Sequence, residues 1–243
     1  MNAAGPLLLA LIAGSMTVAG HQGAPPTPHQ LRAREFLREL VEIDTTNSSG
    51  DTTRAAEAMA ARLRAAGFSA ADVQVLGPRP QKGNLVARLR GAGAGKPILL
   101  LAHLDVVEAR REDWSTEPFT FVERDGYYYG RGTTDIKDGA AILVATLIRL
   151  KEEGFTPDRD LIVALTADEE TGTANGVSWL LRDHRDMVEA EYCLNVDGGG
   201  GQIRQGRRIV NELQTSEKVY VSFRLETTNP GGHSSLPVRC SWR

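Results

Sequence analysis

The chain has 243 residues, 41% of them apolar and 24% charged, and a formal net charge of −3. That is the balance of a globular protein long enough to bury its own core, which excludes disordered, collagen-like and coiled-coil classes. A mildly acidic chain offers no basic face, so no nucleic-acid partner is expected.

Pro6 to Gly20 reads PLLLALIAGSMTVAG, too short and too rich in small residues to span a bilayer comfortably. With the Pro-rich run Ala24 to Pro28 it outlines a secretory signal and spacer over residues 1–28. A secreted or periplasmic location is therefore expected, with no stable membrane span after processing. Leu31 to Ile43 carries apolar residues at helical spacing. The polar loop Thr45 to Thr53 follows, and its Asp51 is placed to cap a second, Ala-rich helix over Thr53 to Gly67. Val73 to Leu76 and Leu85 to Leu89 read as short strands. Ile98 to Ala102 and Leu161 to Ala167 are continuous apolar runs, as in strands buried on both faces. Ala140 to Leu150 is apolar nearly all round and reads as a buried helix. Val177 to Val188 reads as an amphipathic helix and Tyr192 to Val196 as a further strand. Cys193, inside that strand, reads as a small core residue; with Cys240 it makes no disulfide framework.

Strands alternating with helices predict an α/β fold, with a largely parallel sheet and helices on both faces. After Gly206 the texture changes. Lys218 to Glu226 alternates like an antiparallel strand, the start of a smaller α+β domain.

The acids and one histidine fall at telling places. His103 and Asp105 follow the first buried strand, Asp168, Glu169 and Glu170 follow the second, and Asp197 follows the third. Open parallel sheets bind ligands beyond the carboxyl ends of their strands, so one rim collects all of them. Asp135 lies in the loop before the buried helix. Singly, each has a plain explanation: a surface pair, acids at a helix start, a turn former, an N-cap. Their coincidence on one rim argues for a site. Clustered carboxylates need compensation, and a divalent cation supplies it. Nitrogen and oxygen donors without thiolate suit zinc, with cobalt or manganese as alternatives. One carboxylate can bridge two ions, and a carboxylate that is not a ligand can act as general base. Glu169 and Glu170 offer both roles side by side. Gly91 to Lys96 (GAGAGK) is no phosphate loop, because Pro97 and a strand follow where a hydroxyl residue and a helix are required. No nucleophile elbow is present. His21 and His29 read as spacer and His184 as surface.

Five ordered stretches carry a resemblance: LLLAHLDVV (Leu99 to Val107), GRGTTDIKDG (Gly130 to Gly139), TADEETG (Thr166 to Gly172), NVDGG (Asn195 to Gly199) and NPGGHSSLP (Asn229 to Pro237). Over roughly residues 30 to 238 the chain resembles the dinuclear-zinc amidohydrolases and exopeptidases that include acetylornithine deacetylase, succinyl-diaminopimelate desuccinylase, aminoacylase and glutamate carboxypeptidase. The resemblance implies a hydrolase that cleaves a peptide or N-acyl amide bond beside a free carboxylate, using two zinc ions. It implies His103 and Asp197 as ligands of one zinc, Asp135 as the bridge and Glu170 as a ligand of the other. It implies Glu169 as general base and Asp105 as the group that orients His103. His233 would help stabilise the oxyanion, often in a neighbouring subunit's site. Small peptides or N-acyl amino acids are the implied substrates, and a homodimer the implied full-length state.

Family members are usually longer and supply a last histidine after the inserted domain. The expected division is therefore a signal and spacer (1–28), an incomplete catalytic zinc-binding domain (29–212) and the truncated beginning of a lid or dimerisation domain (213–243). The alternative expectation is a catalytically inactive, metal-binding remnant of such an enzyme. A third is a structural α/β module whose acids are incidental.

Overall fold

The computed structural model describes residues 25–198, 200–216, 219 and 221–226. The expected signal segment before residue 25 and His233 lie outside them. The chain divides into two units, one up to Asp197 and one from Gly198 onward.

The first unit is built on a five-stranded sheet. Its strands are β1 (Val73–Leu76), β2 (Asn84–Leu89), β3 (Ile98–His103), β6 (Leu161–Thr166) and β7 (Tyr192–Asn195). They lie in the order β1-β2-β6-β3-β7. β3 pairs in parallel with both β6 and β7, while β2 runs antiparallel to its neighbours β1 and β6. Four strands thus share one direction, and three of them end on the rim that carries the acids. A separate hairpin, β4 (Val122–Arg124) with β5 (Tyr127–Tyr129), turns at Asp125 and Gly126, both with positive φ. That is the primed turn whose twist matches a hairpin.

Helices cover both faces. On one side α1 (Pro28–Val41), α2 (Thr52–Ala65) and α3 (Lys137–Glu152) pack on Leu85, Ala87, Val163, Leu165 and Ala102. On the other, α4 (Gly176–Asp183) and α5 (Arg185–Val188) bring Leu180 and Val188 onto Val86, Ile162 and Ala164. Neighbours such as Leu85 and Val86 face opposite cores because strand side chains alternate. Full burial of one such Leu is worth about 1.5–3 kcal/mol, so both layers hold the sheet in place.

Helix ends follow local chemistry. Asp51 caps α2 by accepting the Arg54 N–H at 3.1 Å, as the sequence led one to expect. α1 begins earlier than its apolar pattern. Thr27 and Gln30 form a capping box around Pro28, so His29 is helical and not spacer.

Four expectations are corrected. The helix over Val177 to Val188 is two helices that break at His184. α3 is not buried all round, since Ile142 is exposed. Cys193 is exposed and not core, because β7 is an edge strand whose residues all face solvent. Residues 221–226 and 219, within the expected strand Lys218 to Glu226, form no ladder.

In the second unit, β8 (Gly200–Arg204) and β9 (Arg207–Glu212) form an antiparallel hairpin. Its turn residues Gln205 and Gly206 both have positive φ.

Candidate metal centre

His103 closes β3 and is 3% exposed. Its Nδ1 lies 2.9 Å from the main-chain carbonyl of Asp105. A carbonyl only accepts, so Nδ1 carries the hydrogen; in the neutral ring the lone pair is then on Nε2, which faces outward. Three carboxylates meet that lone pair: Oδ1 of Asp135 at 3.1 Å, Oδ2 of Asp197 at 3.6 Å and Oε2 of Glu169 at 3.9 Å. Donor atoms of His103, Asp135 and Asp197 all lie within 4.8 Å of one another.

Each carboxylate is brought there by a different device. Asp135 precedes α3 but does not cap it: the N-cap position is Ile136, without a side-chain cap bond. Behind it, Lys137 is fully buried and its Nζ donates to the carbonyls of Leu40 and Ile43, each at 2.8 Å. This ties the Asp135 loop to the end of α1. Gly132 (φ 87) makes room, since a Cβ there would sit 2.8 Å from the Lys137 side chain. Asp197 follows β7 in a turn where its N–H donates to Oδ1 of Asn195 at 3.2 Å. Glu169 and Glu170 leave β6 with their backbone N–H groups donating to the two oxygens of Asp105, both at 3.0 Å.

Asp105 therefore contacts His103 through its carbonyl, while its buried carboxylate holds the Glu169–Glu170 backbone; Oδ1 of Asp105 is 3.6 Å from Nδ1 of His103. Glu170 stands outside the three-donor group, although its carboxyl feels the charges of Asp135 and His103.

The electrostatics express the crowding. Burial drives the Glu169 carboxyl above the ordinary range; His103 opposes this, while Asp197, Asp105 and Asp135 add to it. Burial likewise raises Glu170, with Asp135 as the next contributor. For His103 burial acts downward, but the charges of Asp105, Asp197 and Glu169 and the bond to the Asp105 carbonyl outweigh it, and the imidazole is raised. A lone pair ringed by groups that only accept requires a proton or a cation. The donor set is imidazole and carboxylate without sulfur, which fits zinc, cobalt or manganese.

Sequence reasoning missed the groups behind the site. Lys82, Asn84 and Lys137 are buried, and charged or amide residues are mostly exposed elsewhere, so nothing marked them. Asn84 accepts the Ala167 N–H at 2.9 Å and donates to the Leu76 carbonyl at 3.1 Å, which fixes the end of β6.

The chain resembles known proteins in both sequence and fold. It is 34% identical over 157 residues to the N-fatty-acyl-amino acid synthase/hydrolase PM20D1.1 of Danio rerio, covering 61% of this chain and 30% of that protein. It is 30% identical over 207 residues to a probable succinyl-diaminopimelate desuccinylase of Staphylococcus aureus strain Mu50, covering 84% of this chain and 46% of that protein. The chain thus spans less than half the length of these curated relatives. Human carnosine dipeptidase 1 superposes with a TM-score of 0.59 at 20% identity, over 73% of this chain and 44% of that one. An M20 family metallo-carboxypeptidase of Sulfolobus solfataricus superposes with a TM-score of 0.58 at 16% identity, over 69% and 37%. At such identities these two likenesses show the fold alone. The model of peptidase family M20/M25/M40 matches residues 99–239, more than half of the sequence, and the chain belongs to that family.

Proposed function

We propose that this chain carries the metal-holding part of a hydrolase that cleaves a peptide or N-acyl amide bond beside a free carboxylate. The observation that carries the reading is Nε2 of His103 facing the carboxylates of Asp135, Asp197 and Glu169, with Nδ1 held on the Asp105 carbonyl. Relatives described as acting on N-fatty-acyl amino acids or as a desuccinylase support an N-acyl amino acid or small peptide as substrate.

His103, Asp135 and Asp197 would hold one divalent ion, and Glu170 with Asp135 a second. Such ions, when bound, polarise the scissile carbonyl and acidify water. Glu169 accepts a proton from the attacking water and returns it to the leaving amine; burial holds its carboxyl above the ordinary range, which makes it a better proton acceptor than a free carboxylate. Asp105 keeps Glu169 in line by holding its amide. His233, outside the described residues, would assist at the oxyanion, and a homodimer would bring it to a neighbouring site. Export stays part of the proposal, supported by the Pro6 to Gly20 run. No helix among the described residues is long and apolar enough to cross a membrane.

The test is metal analysis and turnover of the full chain on dipeptides and N-acyl amino acids, beside Glu169→Gln. Metal-dependent hydrolysis that Glu169→Gln abolishes supports the reading. Undiminished turnover in Glu169→Gln removes Glu169 from the base role. One ion bound without hydrolysis favours the inactive remnant, to which the three-donor group would suffice.

A further inference from the structure

Lys82 and Asp168 form a buried ion pair behind the acidic nest, 8% and 2% exposed. The Lys82 ammonium group donates to Oδ1 of Asp168 and, at 3.0 Å, to Oδ1 of Asn47. The second oxygen of Asp168 accepts the Ala174 N–H at 3.1 Å, and its carbonyl accepts from Nδ2 of Asn175 at 3.2 Å. Three loops, those of Asn47, Lys82 and Asp168, are thereby joined at one ion pair. The backbone of Asp168 is left-handed, with φ 58, a region that residues other than glycine seldom occupy. Gly172 packs so closely that a Cβ there would lie 1.9 Å from Cγ of Asp168.

A buried ion pair is a weak device for stability, because desolvation offsets much of its attraction and an apolar pair of similar volume often does as well. What it adds here is direction. The chain turns left-handed at Asp168, and the next two residues are Glu169 and Glu170, whose amides rest on Asp105. The segment is thus held at two points: Asp105 grips its amides, and Lys82 grips the side chain at the start of the turn. Between these two holds Glu169 leaves the backbone toward His103, with its Oε2 3.9 Å from Nε2.

We propose that Lys82, acting through Asp168, is a positioning residue that fixes the turn from which Glu169 is aimed. The proposal rests on the reading of Glu169 as proton acceptor. Its structural half, the clamp on the turn, is measurable without turnover.

Two variants of the full chain test it. Lys82→Met removes the cation. Lys82→Met combined with Asp168→Asn removes both charges, so none is orphaned, and Asn tolerates the left-handed backbone. Residue-resolved amide exchange should quicken by roughly tenfold or more at Glu169, Glu170 and Ala174, and stay unchanged in α3. Where the chain turns over, kcat should fall by about 10²-fold with KM little changed, the loss expected for a misplaced reacting group. In a Glu169→Gln background Lys82→Met should cost nothing further, because both changes remove the same act. Unchanged exchange at the three amides overturns the proposal in an active or an inactive chain. Losses that add to those of Glu169→Gln also overturn it, since they would make Lys82 a general stabiliser. A wild-type chain that binds no metal and hydrolyses nothing defeats the functional reading alone, and the exchange result still decides the clamp.

Discussion

Asp105 accepts the backbone N–H of Glu169 on Oδ1 at 3.0 Å across 64 residues of sequence. Its Oδ2 does the same for Glu170. One buried carboxylate thus sets where two acids leave the sheet, while its own carbonyl fixes the tautomer of His103. Asp105→Ala leaves two amides without a partner, at a cost of about 1–3 kcal/mol for each one that water does not reach. We expect a lower unfolding midpoint in urea, and turnover reduced more than in Asp105→Asn, which keeps one acceptor. Equal stability of Asp105→Ala and wild type would contradict this role.

Metal should stabilise the fold through His103. At a free ion concentration about 100 times Kd, the gain is about 2.7 kcal/mol. We expect zinc to raise Tm, a chelator to reverse the rise, and His103→Ala to abolish it. The effect should depend on pH in a definite sense. The Glu169 and Glu170 carboxyls are raised above 4.5, so without metal the folded chain binds more protons than the unfolded chain between 4.5 and the raised values. Stability from these groups falls as pH rises through that window. His103 is raised above 6.5; its contribution is present below 6.5 and lost as pH rises through the raised value. Zinc must displace these protons. Its effect on Tm should therefore shrink on acidification and grow toward alkaline pH; a zinc shift that does not vary with pH contradicts the assignment.

The strands that deliver His103, Glu169 and Asp197 were legible because each is a continuous apolar run, and chemistry sits where such a run stops. The edge strand β7 reads as an apolar run like the interior strand β3, so its exposure and that of Cys193 could not be read locally. The hairpin β4–β5 did carry a signal, Asp125-Gly126, but its exposed tyrosines lack the apolar alternation that marks a strand. The start of α1 was masked by Pro28, which reads as spacer until the Thr27–Gln30 pair is seen around it. Lys82 and Lys137 were illegible in principle: a buried cation is defined by partners such as Asp168 and the Leu40 carbonyl, far away in sequence.

Away from the site, Asp160 joins β6 to the loop after β2. It accepts from Arg88 at 2.9 Å and from the Gly91 N–H at 2.8 Å. Burial alone would raise its carboxyl, but the Gly91 bond and the Arg88 guanidinium prevail and hold it below 3.8. A depressed carboxyl stabilises the fold fully above its unfolded value, and that contribution is lost as pH falls through the folded value. Asp160→Asn should therefore be less stable than wild type near neutrality, by about 1.5–3 kcal/mol for a bond to a charged group. The two should converge below 3.8 in acid titrations of stability. A gap that persists at strongly acidic pH would assign the loss to packing instead.

Lys137 behaves in the opposite sense. Burial lowers its ammonium from 10.5 to about 7, against the pull of Asp44 and Asp105. A neutral amine has two hydrogens to give, and the carbonyls of Leu40 and Ile43 take two. Between about 7 and 10.5 the unfolded chain holds a proton that the folded chain has released. Stability from this group therefore rises with pH across that window and is level outside it. Linkage over such an interval is worth on the order of 4–5 kcal/mol. In Lys137→Met both carbonyls lose their donor, so the variant should be less stable at every pH. Its deficit against wild type should widen from neutral to alkaline conditions, as measured by denaturant unfolding at a series of pH values. A constant deficit would mean that the buried lysine stays charged, held by the C-terminal carbonyls of α1 and the field of Asp44.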